Sequence, residues 1–187
     1  MSRIIGFIGS PRKNGNTALL VNEFVDAAAQ AGAETSTVLL NTLNIRGCQS
    51  CYSCKSDGVC VVKDDLTPLY DDIANADVVV FAAPIYMGMI TAQLTLLLNR
   101  LYPYLKTDFT SRLAPGKTAV LLMTQGNPDP ATYQAHFQTL SRMLQVLGFT
   151  RVEEVIVAAG VREPGAVTKD SELMARIRDL GTRLAKG

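Results

Sequence analysis

Five short apolar runs, each followed by a helix-like pattern or a long polar connection, constrain the fold more than any other feature of this sequence. They occupy residues 4–8, 35–40, 78–83, 118–123 and 152–159. Successive strands that are joined through helices must cross over, so this alternation predicts a parallel sheet. The third and fourth runs are almost continuously apolar, which is typical of strands covered by helices on both faces.

The helices are predicted from apolar residues that recur at helical spacing and from the residues that bound them. Asn16 or Thr17 caps the first helix, which ends at Gly32, and Asp64 or Asp65 caps a short second helix. The remaining helices are expected at 91–104, 130–147 and 171–185.

These elements predict an α/β fold of three layers, in which a doubly wound, five-stranded parallel sheet has the flavodoxin-like strand order 2-1-3-4-5. A Rossmann order is the alternative. No repeat, low-complexity segment or linker divides the sequence, so we expect residues 1–187 to form one domain. Ligands of such sheets bind beyond the carboxyl ends of the strands. The loops of interest are therefore 9–17, 41–63, 84–91 and 124–130.

Charge and hydropathy argue against two classes of partner. The chain has 18 basic and 17 acidic residues and no basic cluster, so nucleic acid binding is not expected. No apolar run approaches the roughly 18 residues of a membrane span, and the N-terminus lacks a signal-peptide core. All four cysteines lie between Cys48 and Cys60 rather than bridging distant parts of the chain. We therefore expect a cytoplasmic protein.

The loop after the first strand has the chemistry of an anion site. It leads directly into the first helix, whose free backbone amides and dipole attract anions. It has neither the end of a Walker loop nor the glycine spacing of a dinucleotide site, so a monophosphate fits best. The alternative is an ordinary polar loop that caps the helix. The candidate phosphate ligands are Ser10, Arg12, Asn14, Gly15, Asn16 and Thr17.

Two segments of the chain resemble the NAD(P)H-dependent FMN reductases, flavodoxin-like enzymes that include the iron–sulfur flavoproteins. Residues 10–12, Ser-Pro-Arg, and 15–17, Gly-Asn-Thr, resemble the family's FMN phosphate loop. Residues 84–88, at the end of the third strand, are similar to the Pro-x-Tyr segment that lines the isoalloxazine ring in the family. The resemblance implies that the flavin is held by Pro84, Ile85, Tyr86, Met87 and Gly88.

The loop after the fourth strand falls where a third cofactor contact would lie. Gln125 and Gly126 are its candidates for contact with the flavin ring or the ribityl chain.

Four cysteines follow the spacing C-x2-C-x2-C-x5-C. Its compact opening is typical of four-iron cluster ligation, whereas structural zinc usually takes two pairs of cysteines farther apart. The spacing also resembles the motif of the iron–sulfur flavoproteins, which implies a four-iron four-sulfur cluster that exchanges electrons with FMN. Zinc is an alternative, and so is a loop of free or oxidised thiols near a neighbouring subunit. The candidate ligands are Cys48, Cys51, Cys54 and Cys60.

The resemblance implies an FMN-dependent oxidoreductase that forms a homodimer or a homotetramer. It would take electrons from NAD(P)H or a reduced ferredoxin-like donor and reduce a small acceptor such as a quinone or free flavin. The alternative is an electron-transfer protein that works through FMN and a four-iron cluster. A third hypothesis, a phosphate-binding regulatory domain, is disfavoured by residues 84–88. No side chain is assigned an acid–base role, because a bound flavin supplies the redox chemistry itself.

Overall fold

The computed structural model describes residues 1–187, and its centre is a sheet of seven strands. The long strands run in the order β2-β1-β3-β5 and pair in parallel, while β6 and β7 both pair with the far side of β5. By position in the sheet this is the predicted order 2-1-3-4-5, and the Rossmann alternative is wrong. The strands are β1 (Arg3–Ile8), β2 (Glu34–Leu39), β3 (Val78–Tyr86), β4 (Met89–Ile90), β5 (Thr118–Thr124), β6 (Arg151–Val152) and β7 (Ile156–Ala158).

Six α-helices surround the sheet, and short 3-10 turns follow three of the elements. The helices are α1 (Asn16–Gln30), α2 (Cys54–Asp57), α3 (Leu69–Asn75), α4 (Ala92–Asn99), α5 (Gln134–Leu147) and α6 (Ser171–Ala185). The 3-10 turns are Leu40–Thr42, Tyr102–Tyr104 and Ala166–Lys169. No helix is both long enough and apolar enough to cross a membrane.

Side-chain chemistry explains two of the predicted helix boundaries that are wrong. The helix expected at 91–104 stops at Asn99, because Pro103 has no N–H with which to continue the helical ladder. The helix expected from residue 130 begins only at Gln134. Before it, the Asp129 side chain accepts from the Ala131 amide at 2.9 Å, which holds a local turn instead of a helical one.

The third strand continues past its predicted end at residue 83, through Pro84 to Tyr86. The Ala82 carbonyl accepts from Gly9 on the β1 side, and the polar groups of Pro84, two residues on, point the same way. There β1 has already ended, so the missing N–H of the proline costs no hydrogen bond of the sheet.

The last predicted strand, 152–159, is divided into β6 and β7 by a bulge. Val152 pairs with Ala119 and Ile156 pairs with Leu122, so four steps along one strand match three along its neighbour. The extra residue interrupts the pairing at the sheet edge, as bulges commonly do.

Two apolar cores fill the space between the sheet and the helices. Alternate strand residues point to opposite faces. Phe7 therefore belongs to a core of 25 buried residues with α4 and α5, whereas Ile8 belongs to one of 20 with α1 and α6. An added Cβ at Gly181 would lie 2.3 Å from the Phe24 carbonyl oxygen, so this glycine permits the close approach of α6 to α1.

Candidate cofactor site

The loops after β1, β3, β5 and β7 meet at the carboxyl edge of the sheet. The chain leaves β1 towards β2 on one side, and β3 lies on the other side. This reversal of strand order opens the crevice where doubly wound proteins bind ligands.

The phosphate loop, residues 9–17, is closed by its own hydrogen bonds. The Arg12 amide donates to Ser10 Oγ at 3.1 Å, and the Gly15 amide donates to the Arg12 carbonyl at 3.1 Å. An added Cβ on Gly15 would lie 2.9 Å from Arg12 Cβ, so the loop is too tight there for any other residue. Ser10 is buried, whereas the side chains of Arg12 and Asn14 are exposed.

The start of α1 offers free donors to an anion. Gly15 is the N-cap residue and has no side chain to bond the first turn. The backbone amides of Asn16, Thr17 and Ala18 have no backbone acceptor. A phosphate at this helix end would meet several amides and the favourable end of the helix dipole.

The predicted capping role of the Asn16 and Thr17 side chains is wrong, because both reach across to other loops. Asn16 Nδ2 donates to the Glu163 carbonyl at 2.9 Å, and its Oδ1 accepts from the Val167 amide at 3.3 Å. Thr17 Oγ1 lies 2.8 Å from Thr124 Oγ1 at the end of β5. These side chains fix the helix start relative to its neighbours and leave the backbone amides for a ligand.

Residues 84–88 form the first half of a hairpin beside this loop. Ile85 pairs with Ile90 and Tyr86 with Met89, which leaves Met87 and Gly88 as a two-residue turn. Their φ angles are 51° and 81°, both positive, as the tight hairpin turn requires. Met87 is 99% exposed, and a left-handed conformation is strained for such a side chain. Strain of this kind concentrates at functional sites.

A hydrogen bond holds the end of the hairpin against the phosphate loop. Thr91 Oγ1 donates to the Gly9 carbonyl at 2.7 Å, and both residues are buried. The exposed, soft apolar surfaces of Tyr86 and Met87 therefore lie on an element tied to the anion-binding loop.

Gln125 carries an unsatisfied polar atom at the same edge. Its Nε2 donates to the carbonyls of Asn127 and Asp129 at 3.1 and 2.7 Å, but its buried Oε1 has no donor. Such an orphan acceptor needs a partner. Free amides, an orphan acceptor and exposed flat apolar groups together fit a phosphorylated flavin.

One part of this site was not predicted, namely the segment 160–163 that follows β7. Its Gly160 and Val161 amides donate to the carbonyls of Asn127 and Gln125, at 2.9 and 3.0 Å. Arg162 Nε donates to the Gly126 carbonyl at 3.3 Å. The signal was present in the sequence, because this segment follows the last strand at the same edge as the other loops.

The four cysteines lie on a separate loop and differ in exposure. Cys48 and Cys51 are exposed, Cys54 is buried at the start of α2, and Cys60 is half-buried. All four line one cavity of about 20 Å³, which is room for about one water molecule. No three His, Cys, Asp or Glu side chains converge as a metal site would require. In this arrangement the cysteines do not fit a cluster, and their role as ligands stays a prediction.

The thiols have unequal acidities. Hydrogen bonds from Ser53 lower the pKa of Cys51, whereas burial raises the pKa of Cys54 and the nearby Lys55 ammonium only partly offsets this. Lys55 Nζ itself donates to the carbonyls of Tyr102 and Leu105 at 3.2 and 2.7 Å and lies 3.3 Å from the centre of the Tyr102 ring. These contacts dock α2 onto the segment after α4.

A buried arginine at the end of α4 fastens both ends of the cysteine loop. Arg100 is 1% exposed. Its guanidinium donates to the Arg46 carbonyl at 2.7 Å and the Val62 carbonyl at 3.1 Å, on either side of the cysteines. It also forms a two-point ion pair with Asp64, at 2.6 and 3.3 Å, and donates to the Tyr70 hydroxyl at 3.2 Å. All five N–H groups of the guanidinium are thereby used.

The prediction that Asp64 or Asp65 caps the second helix is wrong, because α3 begins at Leu69 and its N-cap residue is Pro68. Asp64 instead caps the turn before this helix. Its carboxylate accepts from the backbone amides of Leu66 and Arg46, at 3.1 and 2.9 Å. Burial opposes its ionisation, but the hydrogen bonds from Arg100, Arg46 and Leu66 outweigh burial and lower the pKa of Asp64. The residue caps the turn before α3 and holds the buried arginine, which excludes it from acid–base work.

The fold and this site together define a flavodoxin-like protein whose sheet edge has the chemistry to hold a phosphorylated flavin. Comparison with known proteins makes the class specific. The model of the NADPH-dependent FMN reductase family matches residues 2–162, and the chain belongs to that family. It is an FMN-dependent oxidoreductase.

Individual relatives agree with this membership. An iron–sulfur flavoprotein of Methanocaldococcus jannaschii is 32% identical over 98% of this chain and 96% of its own length. One from Archaeoglobus fulgidus is 31% identical over 98% of this chain and 79% of its own length. The solved NAD(P)H:quinone oxidoreductase from Methanothermobacter marburgensis superposes with a TM-score of 0.76 over 98% of this chain and 96% of that chain, at 18% identity, which supports the fold.

Proposed function

We propose that this protein oxidises NAD(P)H and reduces a small acceptor such as a quinone or a free flavin. The observation that carries the proposal is the pairing of an anion-binding helix start with an exposed apolar hairpin, joined by the Thr91–Gly9 hydrogen bond. A bound FMN would accept a pair of electrons from a nicotinamide and pass them on to the acceptor. The side chains around it serve to bind and orient.

Different parts of the site would hold the two ends of the cofactor, the phosphate and the isoalloxazine ring. The amides at the start of α1 and the loop residues Ser10, Arg12, Asn14 and Gly15 would hold the phosphate. Asn16 and Thr17 would contribute backbone amides while their side chains brace the loop. The ring would be contacted by Pro84, Ile85, Tyr86, Met87 and Gly88. Gln125 and Gly126 would contact the ring or the ribityl chain.

Substitution of Gly15 tests the phosphate loop. In Gly15→Ala, the new Cβ would lie 2.9 Å from Arg12 Cβ and 3.3 Å from the Arg12 carbonyl oxygen, so the loop must change shape. We expect FMN affinity to fall at least about tenfold, measured by quenching of flavin fluorescence. The matched control is Gly47→Ala, whose nearest contact would be an ordinary 3.7 Å. Equal FMN affinity in the two variants would contradict the assignment of the loop.

The overall proposal is tested on the wild-type protein with NADH, NADPH and a soluble quinone. We expect FMN-dependent oxidation of one or both nicotinamides that accelerates when the quinone is added. Failure to bind FMN, or reduction of the bound flavin only by a reduced ferredoxin-like donor and by neither nicotinamide, would overturn it.

A second candidate function is electron transfer through FMN and a cysteine-bound cluster. It is favoured by the relatives named above as iron–sulfur flavoproteins, which match nearly the whole chain. The thiols would have to draw together around such a cluster, because they do not converge in the described arrangement.

We also propose that the protein is a homodimer, with a homotetramer as the alternative. The hairpin carries three exposed large apolar residues close together, Tyr86, Met87 and Met89. A contiguous apolar patch on an otherwise polar surface commonly marks an interface.

A further inference from the structure

Arg162 is an exposed residue between two parts of the proposed FMN site. Its Nε donates to the Gly126 carbonyl, and an added Cβ on Gly126 would lie 3.3 Å from Arg162 Cγ. The next residue, Glu163, accepts through its carbonyl from Asn16, the first residue of α1. The Arg162 backbone is therefore held between the loop after β5 and the helix start that offers free amides.

The guanidinium of Arg162 keeps most of its binding capacity. Only Nε has a partner, so the four N–H groups on the two terminal nitrogens are free. None of the five ion pairs of the structure includes Arg162, and its neighbour Glu163 does not neutralise it. In Arg100, by contrast, every donor of the guanidinium forms a hydrogen bond inside the protein.

We infer that Arg162 is a phosphate-binding residue of the FMN site, a second cation besides Arg12, held by the Glu163–Asn16 hydrogen bond beside the start of α1. This inference rests on the FMN-dependent function proposed above. A planar guanidinium with free terminal N–H groups matches a phosphate better than any other anion-binding side chain does. A phosphate dianion at the start of α1 would otherwise have only the exposed Arg12 and Lys13 of its own loop as cations.

Comparison of FMN with riboflavin tests the assignment, because riboflavin has the same ring and ribityl chain but no phosphate. The flavin-free protein is titrated with each compound in the wild type, Arg162→Gln, Arg162→Lys and the control Arg142→Gln. Arg142 is an exposed, unpaired arginine of α5, so its loss changes the net charge equally. Unchanged riboflavin affinity serves as the internal check of folding.

We expect Arg162→Gln to weaken FMN binding at least about tenfold, the loss of one charge-assisted hydrogen bond, and to change riboflavin binding by less than about twofold. The FMN affinity of Arg162→Lys should lie between those of the wild type and Arg162→Gln, because lysine keeps the charge but loses the two-point geometry of the guanidinium. FMN affinity equal to that of Arg142→Gln, or a parallel loss for both flavins, would overturn the role of Arg162. A wild type that binds neither flavin would instead overturn the proposed function.

Discussion

At the scale of single residues, the site contains polar groups whose hydrogen bonds are satisfied within the protein and polar groups that have no partner. Every N–H donor of the Arg100 side chain bonds within the protein, so the role of Arg100 is structural. The amides of the α1 start, Gln125 Oε1 and the terminal nitrogens of Arg162 have no partner, so they can hold a ligand. A residue whose donors are all satisfied can therefore only support the site, whereas an unpartnered group at the sheet edge is available to a ligand.

The Asp64–Arg100 pair gives a stability prediction at this scale. In Asp64→Asn the Arg100 guanidinium loses its counter-ion while it stays buried, which should cost about 3–5 kcal/mol of unfolding free energy. Denaturant unfolding measures this loss. The control is Asp65→Asn, which keeps an oxygen to accept from the Asn44 amide and breaks no ion pair. A small loss in Asp64→Asn, similar to the control, would show that the pair is dispensable.

The same pair has a pH dependence of definite sign. The folded state lowers the pKa of Asp64 below its unfolded value, so the stabilisation is fully present above that unfolded value, about 3.9. It should be lost as the pH falls through the folded value. We expect wild-type stability to drop more steeply than that of Asp64→Asn below about pH 4.

At the scale of elements, helix α4 connects the two candidate redox sites. Thr91, its N-cap residue, bonds the phosphate loop, and Arg100, its C-cap residue, bonds both ends of the cysteine loop. A chain segment held at both ends by buried hydrogen bonds moves as a unit. The cysteine loop is therefore anchored relative to the proposed flavin, whatever the thiols hold.

Anaerobic purification, with assays for iron and acid-labile sulfide, tests whether the cysteine loop binds a cluster. If the loop binds a cluster, we expect about four irons per chain. Cys54→Ser should then lose iron and keep FMN, whereas Ser56→Ala, a change in the same short helix, should keep both. Flavin without iron in the wild type would contradict the cluster and leave the reductase function intact.

At the scale of the whole molecule, both cores share one sheet, which favours the prediction that residues 1–187 form one domain. The proposed dimer is tested by light scattering on two matched variants. Met89 and Val146 are 58% and 53% exposed, on the hairpin and on α5. We expect Met89→Glu to be monomeric and Val146→Glu to stay dimeric. A Met89→Glu variant with the wild-type mass would exclude the hairpin as the interface.

The sequence by itself determined the alternation of strands and helices and the last helix at 171–185, and it predicted the loops that would hold FMN. These follow from short-range information, because apolar periodicity and the turn residues of a loop act over a few neighbouring positions. The strand continuing through Pro84 could not be predicted, because it depends on where the adjacent strand ends. The bulge between β6 and β7 depends in the same way on the register with β5.

Only the tertiary structure decided how the site residues are used. Asn16 and Thr17 look like helix caps in sequence, yet their partners lie 107 to 151 residues away. Arg162 joins the site through a carbonyl 36 residues earlier in the chain. The cysteine spacing suggested convergence, but the bonds of Arg100 and Lys55 set the path of that loop. Contacts between distant residues carry no periodic signal in sequence, so they emerge only when the chain is folded.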